Sequence, residues 1–242
     1  MRKLFVVLIA LSATIPAFSQ KTTTSKKKKF NLSGRAADHF LLQYSLDSWS
    51  GAADSVSSRI KTFSKGFNTY LMIDFPFKSS PKFSAALGLG VSTSGMMFKN
   101  TTIDIAGSTP QMNFVKADTI NHYKKYKLAT SYLELPIELR FTSDPEHPNK
   151  SVKVAIGMKV GTLLNAHTKG KTLLNGSGNN IGSFTQKVNS RSYFNSTKLA
   201  ATARIGYGYI SAFVSYNLTN IFKDNVAPNT KLVQIGLTLS GL

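Results

Sequence analysis

The residues able to do chemistry in this chain are few, and their spacing limits what they can do. Four histidines, His39, His122, His147 and His167, stand apart, in none of the i, i+4 or His-x-Glu settings that suit zinc. There is no Cys, which removes disulfides, thiolate metal sites and a lipid-attachment cysteine together. A hydrolase would need a Ser-His-carboxylate or Asp-His group. His122 or His167 with Asp104 or Asp118 is the one rim grouping on offer, and no partnered nucleophile accompanies it. No catalytic residue, metal site or cofactor is therefore assigned, and the expected protein is not an enzyme. Glu134 and Glu138 could in principle serve as an acid and base pair. Their position opposite Lys153 and Lys159 across a hairpin points instead to ion pairing.

Strands must position these groups. From about residue 38 the dominant signal is period-two alternation, rich in β-branched and aromatic residues, and it never settles into helical spacing. Eight segments result, at roughly 38–48, 66–78, 82–94, 125–142, 151–168, 197–206, 209–219 and 231–240. In the fourth, Leu133, Leu135, Ile137, Leu139 and Phe141 alternate with Glu134, Pro136, Glu138 and Arg140. In the fifth, Val152, Val154, Ile156, Met158, Val160 and Leu164 alternate with Lys153, Ala155, Gly157, Lys159 and Gly161. Gly88, Gly90, Gly157 and Gly161 precede no helix and so form no phosphate loop; they are expected to leave room for long side chains in a narrow interior.

The connections alternate in length. Residues 49–65, 95–124, 169–196 and 220–230 are long, polar and basic, whereas the joints at 79–81, 143–150 and 207–208 are short. An outer-membrane barrel sorts its loops this way, and a soluble sandwich has no reason to. Phe40, Phe75, Phe77, Phe83 and Phe141 gather on the apolar face near the short turns, where an interfacial aromatic girdle belongs. The fold class is read as all-β: an eight-stranded antiparallel up-and-down transmembrane β-barrel over 38–242. Eight is the smallest common size for such a barrel.

The N-terminus agrees. Arg2 and Lys3, the apolar run from Leu4 to Leu11 and the small-x-small site Ala17-Phe18-Ser19 read as a cleaved signal peptide over 1–19, followed by a flexible Lys-rich segment over 20–37. The expected location is the outer membrane of a Gram-negative bacterium. The formal net charge is +19, and +17 once Arg2 and Lys3 are removed with the signal. Nucleic acid is a poor partner for an exported chain without a nucleic-acid module. Outer-membrane lipid and lipopolysaccharide phosphate are the expected ones, met by an outer rim of Lys116, Lys124, Lys125, Lys169, Lys171, Lys187 and Arg191.

The stretch Tyr132-Leu133-Glu134-Leu135-Pro136-Ile137-Glu138-Leu139-Arg140-Phe141 resembles the outer-membrane β-barrel proteins common in Bacteroidetes, often labelled PorT-like or porin-like. Val154 to Leu164 resembles the family's glycine-spaced following strand, and Tyr216 to Lys223 with Gln234 to Leu239 its closing hairpin. The resemblance covers roughly 38–242 and implies an eight-stranded barrel whose relatives include type IX secretion components. The terminal Leu242 departs from the terminal aromatic of many bacterial barrels.

The function expected is a non-enzymatic barrel that presents basic extracellular loops for envelope organisation or surface binding. A small passive pore, a secretion-system accessory barrel and an outer-membrane lipid hydrolase are the alternatives. Centring the turn at 143–150 sets Leu139 beside Val154, Arg140 beside Lys153 and Glu134 beside Lys159. Glu134, Glu138, Arg140, Lys153 and Lys159 are then expected to form one charged network closing the lumen.

Overall fold

The structure, a computed structural model, describes residues 39–107, 109–116 and 121–241. The chain divides into two units, Met1–Ser33 and Gly34–Leu242. The expected signal peptide, the Lys-rich segment 20–37 and Asp118 lie outside the described residues.

The described strands, in chain order, are β1 (Phe40–Ser50), β2 (Lys65–Pro76), β3 (Phe83–Phe98), β4 (Thr101–Asp104), β5 (Asn113–Lys116), β6 (His122–Thr142), β7 (Val152–Leu174), β8 (Asn180–Asn189), β9 (Thr197–Tyr207), β10 (Ile210–Asn217) and β11 (Lys231–Ser240). Eight of them close into an antiparallel ring, β1-β2-β3-β6-β7-β9-β10-β11, with β11 returning to β1. This is an eight-stranded up-and-down barrel. The β4–β5 hairpin stands outside the ring, and β8 pairs with the far part of β7.

The facing of the side chains says which solvent surrounds the ring. Ile137 and Leu237 are 53% and 60% exposed, whereas Asn68 and Glu134 are 0% and 1% exposed. Water would favour the opposite arrangement, since it rewards aliphatic burial and penalises buried charge. Lipid around an apolar outer band accounts for both. Phe75, Phe77 and Phe83 project outward at the short-turn end, where the Phe83 and Phe141 rings lie 5.2 Å apart. Nearer the loops Tyr44 and Tyr216 face outward, each with a lysine Nζ over its ring, Lys65 at 5.8 Å and Lys231 at 5.7 Å. Such lysines rest their stems on the apolar belt and lift their charge toward water.

Three strands run well past the ends expected from the alternation. β3 continues to Phe98, β6 starts at His122 and β7 extends to Leu174. A strand of about 9–11 residues suffices to cross a membrane, while β6 has 21 and β7 has 23. Much of what reads as basic loop is therefore strand that extends past the apolar band of the barrel.

The expected β6–β7 register is off by two residues. Leu139 pairs with Ile156, Arg140 with Ala155 and Glu134 with Gly161. A lopsided turn is the cause. Asp144 Oδ1 accepts the backbone N–H groups of Glu146 and His147 at 3.0 and 3.2 Å, a 3-10 turn follows at Pro148–Lys150, and Ser143 N–H bonds the Val152 carbonyl. The His147 hydrogen bond to Asp144 Oδ2, at 3.0 Å, is the main reason that the Asp144 carboxyl is held below the usual carboxylate range. Because side chains alternate with period two, a shift of two leaves every residue on its expected face.

The loop end of the barrel is filled with apolar side chains. Trp49, Phe98, Phe194 and Phe222 pack with ring centroids 5.5 Å apart from Trp49 to Phe98, Trp49 to Phe222 and Phe194 to Phe222. All four long connections, expected to be polar, also supply this cluster: Val56, Ile103, Tyr193 and Ile221 come from one each.

Candidate functional site

Inside the ring, small residues make room for large charged ones. Tyr70, Gly90, Glu134, Gly161 and Lys198 stand side by side on β2, β3, β6, β7 and β9. A Cβ at Gly90 would come within 2.0 Å of the Thr69 carbonyl oxygen, and one at Gly161 within 2.9 Å of Glu134 Cγ. With those atoms absent, the neighbours reach across. The Tyr70 hydroxyl donates to Glu134 Oε2 at 2.7 Å, and Lys198 Nζ lies 2.7 Å from Glu134 Oε1. Lys159 Nζ donates to the Tyr70 hydroxyl and to Gln43 Oε1, both at 3.2 Å, and sits 4.8 Å from the Tyr70 ring centre.

A second centre lies nearer the short turns. Glu138 Oε2 accepts from Arg140 Nε at 2.9 Å and from Arg204 Nη2 at 3.0 Å. Arg140 Nη1 is 3.7 Å from Asp74 Oδ1, which accepts the Ser84 hydroxyl at 2.7 Å. Lys153 is buried on the same inward face, across from Thr142 and Gly206. A neutral chain continues around the wall, from the Ser92 hydroxyl to Asn68, from Asn68 to Gln43 and from Gln43 to Thr238, at 2.8, 3.3 and 3.1 Å. Each buried carboxylate is thus engaged by groups from other strands, an arrangement that braces the walls and occupies the lumen.

All five residues of the expected network point inward, but not all touch. Glu138 and Arg140 are direct partners, while Glu134 and Lys159 meet through Tyr70. The expected network did not include Tyr70, Asp74, Lys198, Arg204 or Gln43. The available signal was alternation alone: Lys198 falls between Thr197 and Leu199 and Arg204 between Ala203 and Ile205, but which charge each would meet depends on the neighbouring strands.

Three of the histidines have local polar partners. His39 Nδ1 lies 3.1 Å from the Met72 carbonyl, His147 holds the Asp144 turn, and His167 meets Asn165. Asp104 is occupied by its own turn, accepting the N–H groups of Ala106 and Gly107 at 3.0 and 2.9 Å. Among the described residues no group of His, Asp and Glu is gathered as metal ligands.

The seven outer cations are distributed over several elements. Lys116 ends β5, Lys124 and Lys125 lie on β6, Lys169 and Lys171 on β7 and Lys187 on β8. Arg191 Nη1 donates to the Leu164 carbonyl at 3.4 Å. The sheet brings four of them together with Lys127, since Lys125 pairs with Lys171, and Lys127, Lys169 and Lys187 pair in succession. His167, also in this extension beyond the membrane, is pushed below its ordinary pKa by partial burial and then by Lys187, Lys127 and Lys169.

A closed antiparallel ring with aliphatic walls outside and paired charges inside defines an outer-membrane β-barrel. The chain belongs to the family described as outer membrane protein beta-barrel domain, which matches residues 18–223. Among curated proteins none matches the chain. Among solved structures it is similar to Ail, the attachment invasion locus protein of Yersinia pestis, crystallised in complex with the heparin analogue sucrose octasulfate. Identity is 11%, 83% of this chain and 94% of that chain are covered, and the TM-score is 0.37. A second crystal structure of Ail gives the same identity and coverage with a TM-score of 0.34.

Proposed function

We propose that the working surface of this barrel is its basic extracellular face, and that it is a non-enzymatic, non-conducting protein of envelope organisation or surface binding. Its partners in this reading are outer-membrane lipid and lipopolysaccharide, through phosphate, or another acidic surface. The supporting observation is the contrast between the two places where charge is found. Inside, carboxylates and cations neutralise one another and an apolar cluster caps the loop end. Outside, Lys124, Lys125, Lys171, Lys187 and Arg191 are exposed cations, and exposed cations attract polyanions over a Debye length. The resemblance to PorT-like barrels adds a secretion-system accessory role as the second reading.

The test is binding of the purified full chain to vesicles bearing lipopolysaccharide, measured across a range of salt. Binding should weaken steadily as salt rises. Salt-independent binding, or ion conductance by the protein in planar bilayers, would overturn the reading.

A further inference from the structure

Five lysines share one outward face where β6, β7 and β8 continue together beyond the apolar band. Lys127, Lys169 and Lys187 stand in one row across the three strands, with Lys125 and Lys171 side by side in the next row on the same face. Like charges directly opposite on neighbouring strands have Cβ atoms about 5 Å apart and destabilise the pairing. No Asp or Glu occurs anywhere between Glu146 and Asp224. Among the described residues, the ion pairs of the chain involve none of these five lysines. The protein therefore holds a repulsive strip in a rigid ladder, an arrangement that an anion would relieve.

A bulge sets the direction of the strip. From Val152 to Val160 the even-numbered residues of β7 face lipid. Tyr132 then pairs with Leu163 and Ser131 with Asn165, so Leu164 is an additional residue in β7. Beyond it the parity is reversed: Thr168 and Gly170 are buried, and Lys169 and Lys171 share the outward face with Lys127 and Lys125. Without the extra residue both β7 lysines would point into the apolar cap, where unpaired charge is prohibitive.

The strip also continues the lipid-facing wall. On β6 the outward positions run from Phe141 to Leu133, then through Ser131 and Ala129 to Lys127 and Lys125. With about 3.3 Å per residue, a tilt of about 40° and an apolar band about 25 Å tall starting at Phe141, Lys127 stands about 10 Å above the band. That is the height of the headgroups of lipids packed against the barrel.

We propose that this strip is a binding site for the phosphate groups of an outer-leaflet glycolipid, which seat between the lysine rows on the outward face of β6, β7 and β8. The proposal rests on the reading that the extracellular face is the working surface, and it names the occupant. The occupant is a phosphorylated lipid in the bilayer beside the barrel, not a soluble polyanion, because the lysines lie in line with the lipid-facing wall. Lysine and phosphate supply charge-assisted hydrogen bonds that grow stronger near a low-dielectric boundary.

The experiment uses the full chain in detergent. The strip variant carries Lys127→Gln, Lys169→Gln and Lys187→Gln, and a second variant carries Lys116→Gln on β5 and Lys124→Gln on the other face of β6. Three probes are compared: lipopolysaccharide in mixed micelles, the same lipid after phosphatase treatment, and soluble polyphosphate. The strip variant should bind the phosphorylated lipid about tenfold more weakly than the parent. It should also melt at a higher temperature than the parent when no lipid is added, because like-charge repulsion has been removed. Normal binding by the strip variant with loss in the second variant would overturn the strip while leaving the basic-face reading in place. Normal binding by both variants would overturn both. Equal affinity for phosphatase-treated lipid, or tighter binding of polyphosphate than of lipid, would overturn the lipid phosphate as occupant.

Discussion

At the residue scale, the lumen turns on which partners each charge reaches. Glu134 contacts Lys198 directly and Lys159 only through the Tyr70 hydroxyl. A double-mutant cycle on Glu134→Gln and Lys198→Met, read by barrel melting in detergent, should therefore show strong coupling. The cycle pairing Glu134→Gln with Lys159→Met should show less. Removing one partner of a buried pair typically costs about 3–5 kcal/mol, and each single change at Glu134 or Lys198 should approach that range. Strict additivity in the first cycle would contradict the ion pair. Gly90→Val should also be severe, since its Cβ would meet the Thr69 carbonyl oxygen at 2.0 Å, and the backbone there cannot give way.

At the scale of the element, facing and turn chemistry make separate predictions. Ile137 is 53% exposed to the surroundings of the barrel, and Ile137→Arg should destabilise insertion by about 2–4 kcal/mol if it lies near the bilayer midplane. Folding titrations into vesicles would measure this. A change below a few tenths would place Ile137 outside the apolar band. The β6–β7 turn depends on Asp144, whose carboxyl is lowered chiefly by the hydrogen bond from His147. A lowered carboxyl stabilises the folded turn fully above its ordinary value of about 3.9, and the contribution is lost as the pH falls through the lowered value. Amide protection at Glu146 and His147 should thus persist to more acid pH than an ordinary Asp would allow. It should be weak at all pH values in Asp144→Ala. Pro136 shows a limit of element-level rules, because proline argues against a central strand. β6 nevertheless continues through it, and the β3–β6 pairing skips from Leu87↔Ile137 to Gly90↔Glu134 around it.

For the whole molecule, two fillings lie in series along the barrel, the charged lumen and the apolar cap. An eight-stranded barrel leaves an interior that side chains can fill. Phe222→Ala should cost about 3–5 kcal/mol of cap packing and expose residues 169–196 to protease, yet planar-bilayer recordings should stay silent because the charged layer remains. Conductance in that variant alone would show that the cap is the seal. The intact barrel should keep a heat-modifiable gel mobility, and its absence would contradict the closed ring.

Local alternation determined much on its own. The period of two in stretches such as Leu133 to Phe141 set strand identity and facing, because a strand places successive side chains on opposite sides whatever its neighbours are. The parity of loop lengths then separated a membrane barrel from a sandwich. Position across the sheet was not legible, since it depends on turns and bulges whose effect is felt only between strands. The lopsided Asp144 turn moved the register by two, and the additional Leu164 reversed the facing of β7. Those two features decided that Glu134 would meet Lys198 instead of standing beside Lys159, and that Lys169 and Lys171 would face outward beside Lys127 and Lys125. The apolar cap was likewise hidden, because Val56, Ile103, Tyr193 and Ile221 are scattered singly through polar connections and become a core only when the ring brings the four loops together.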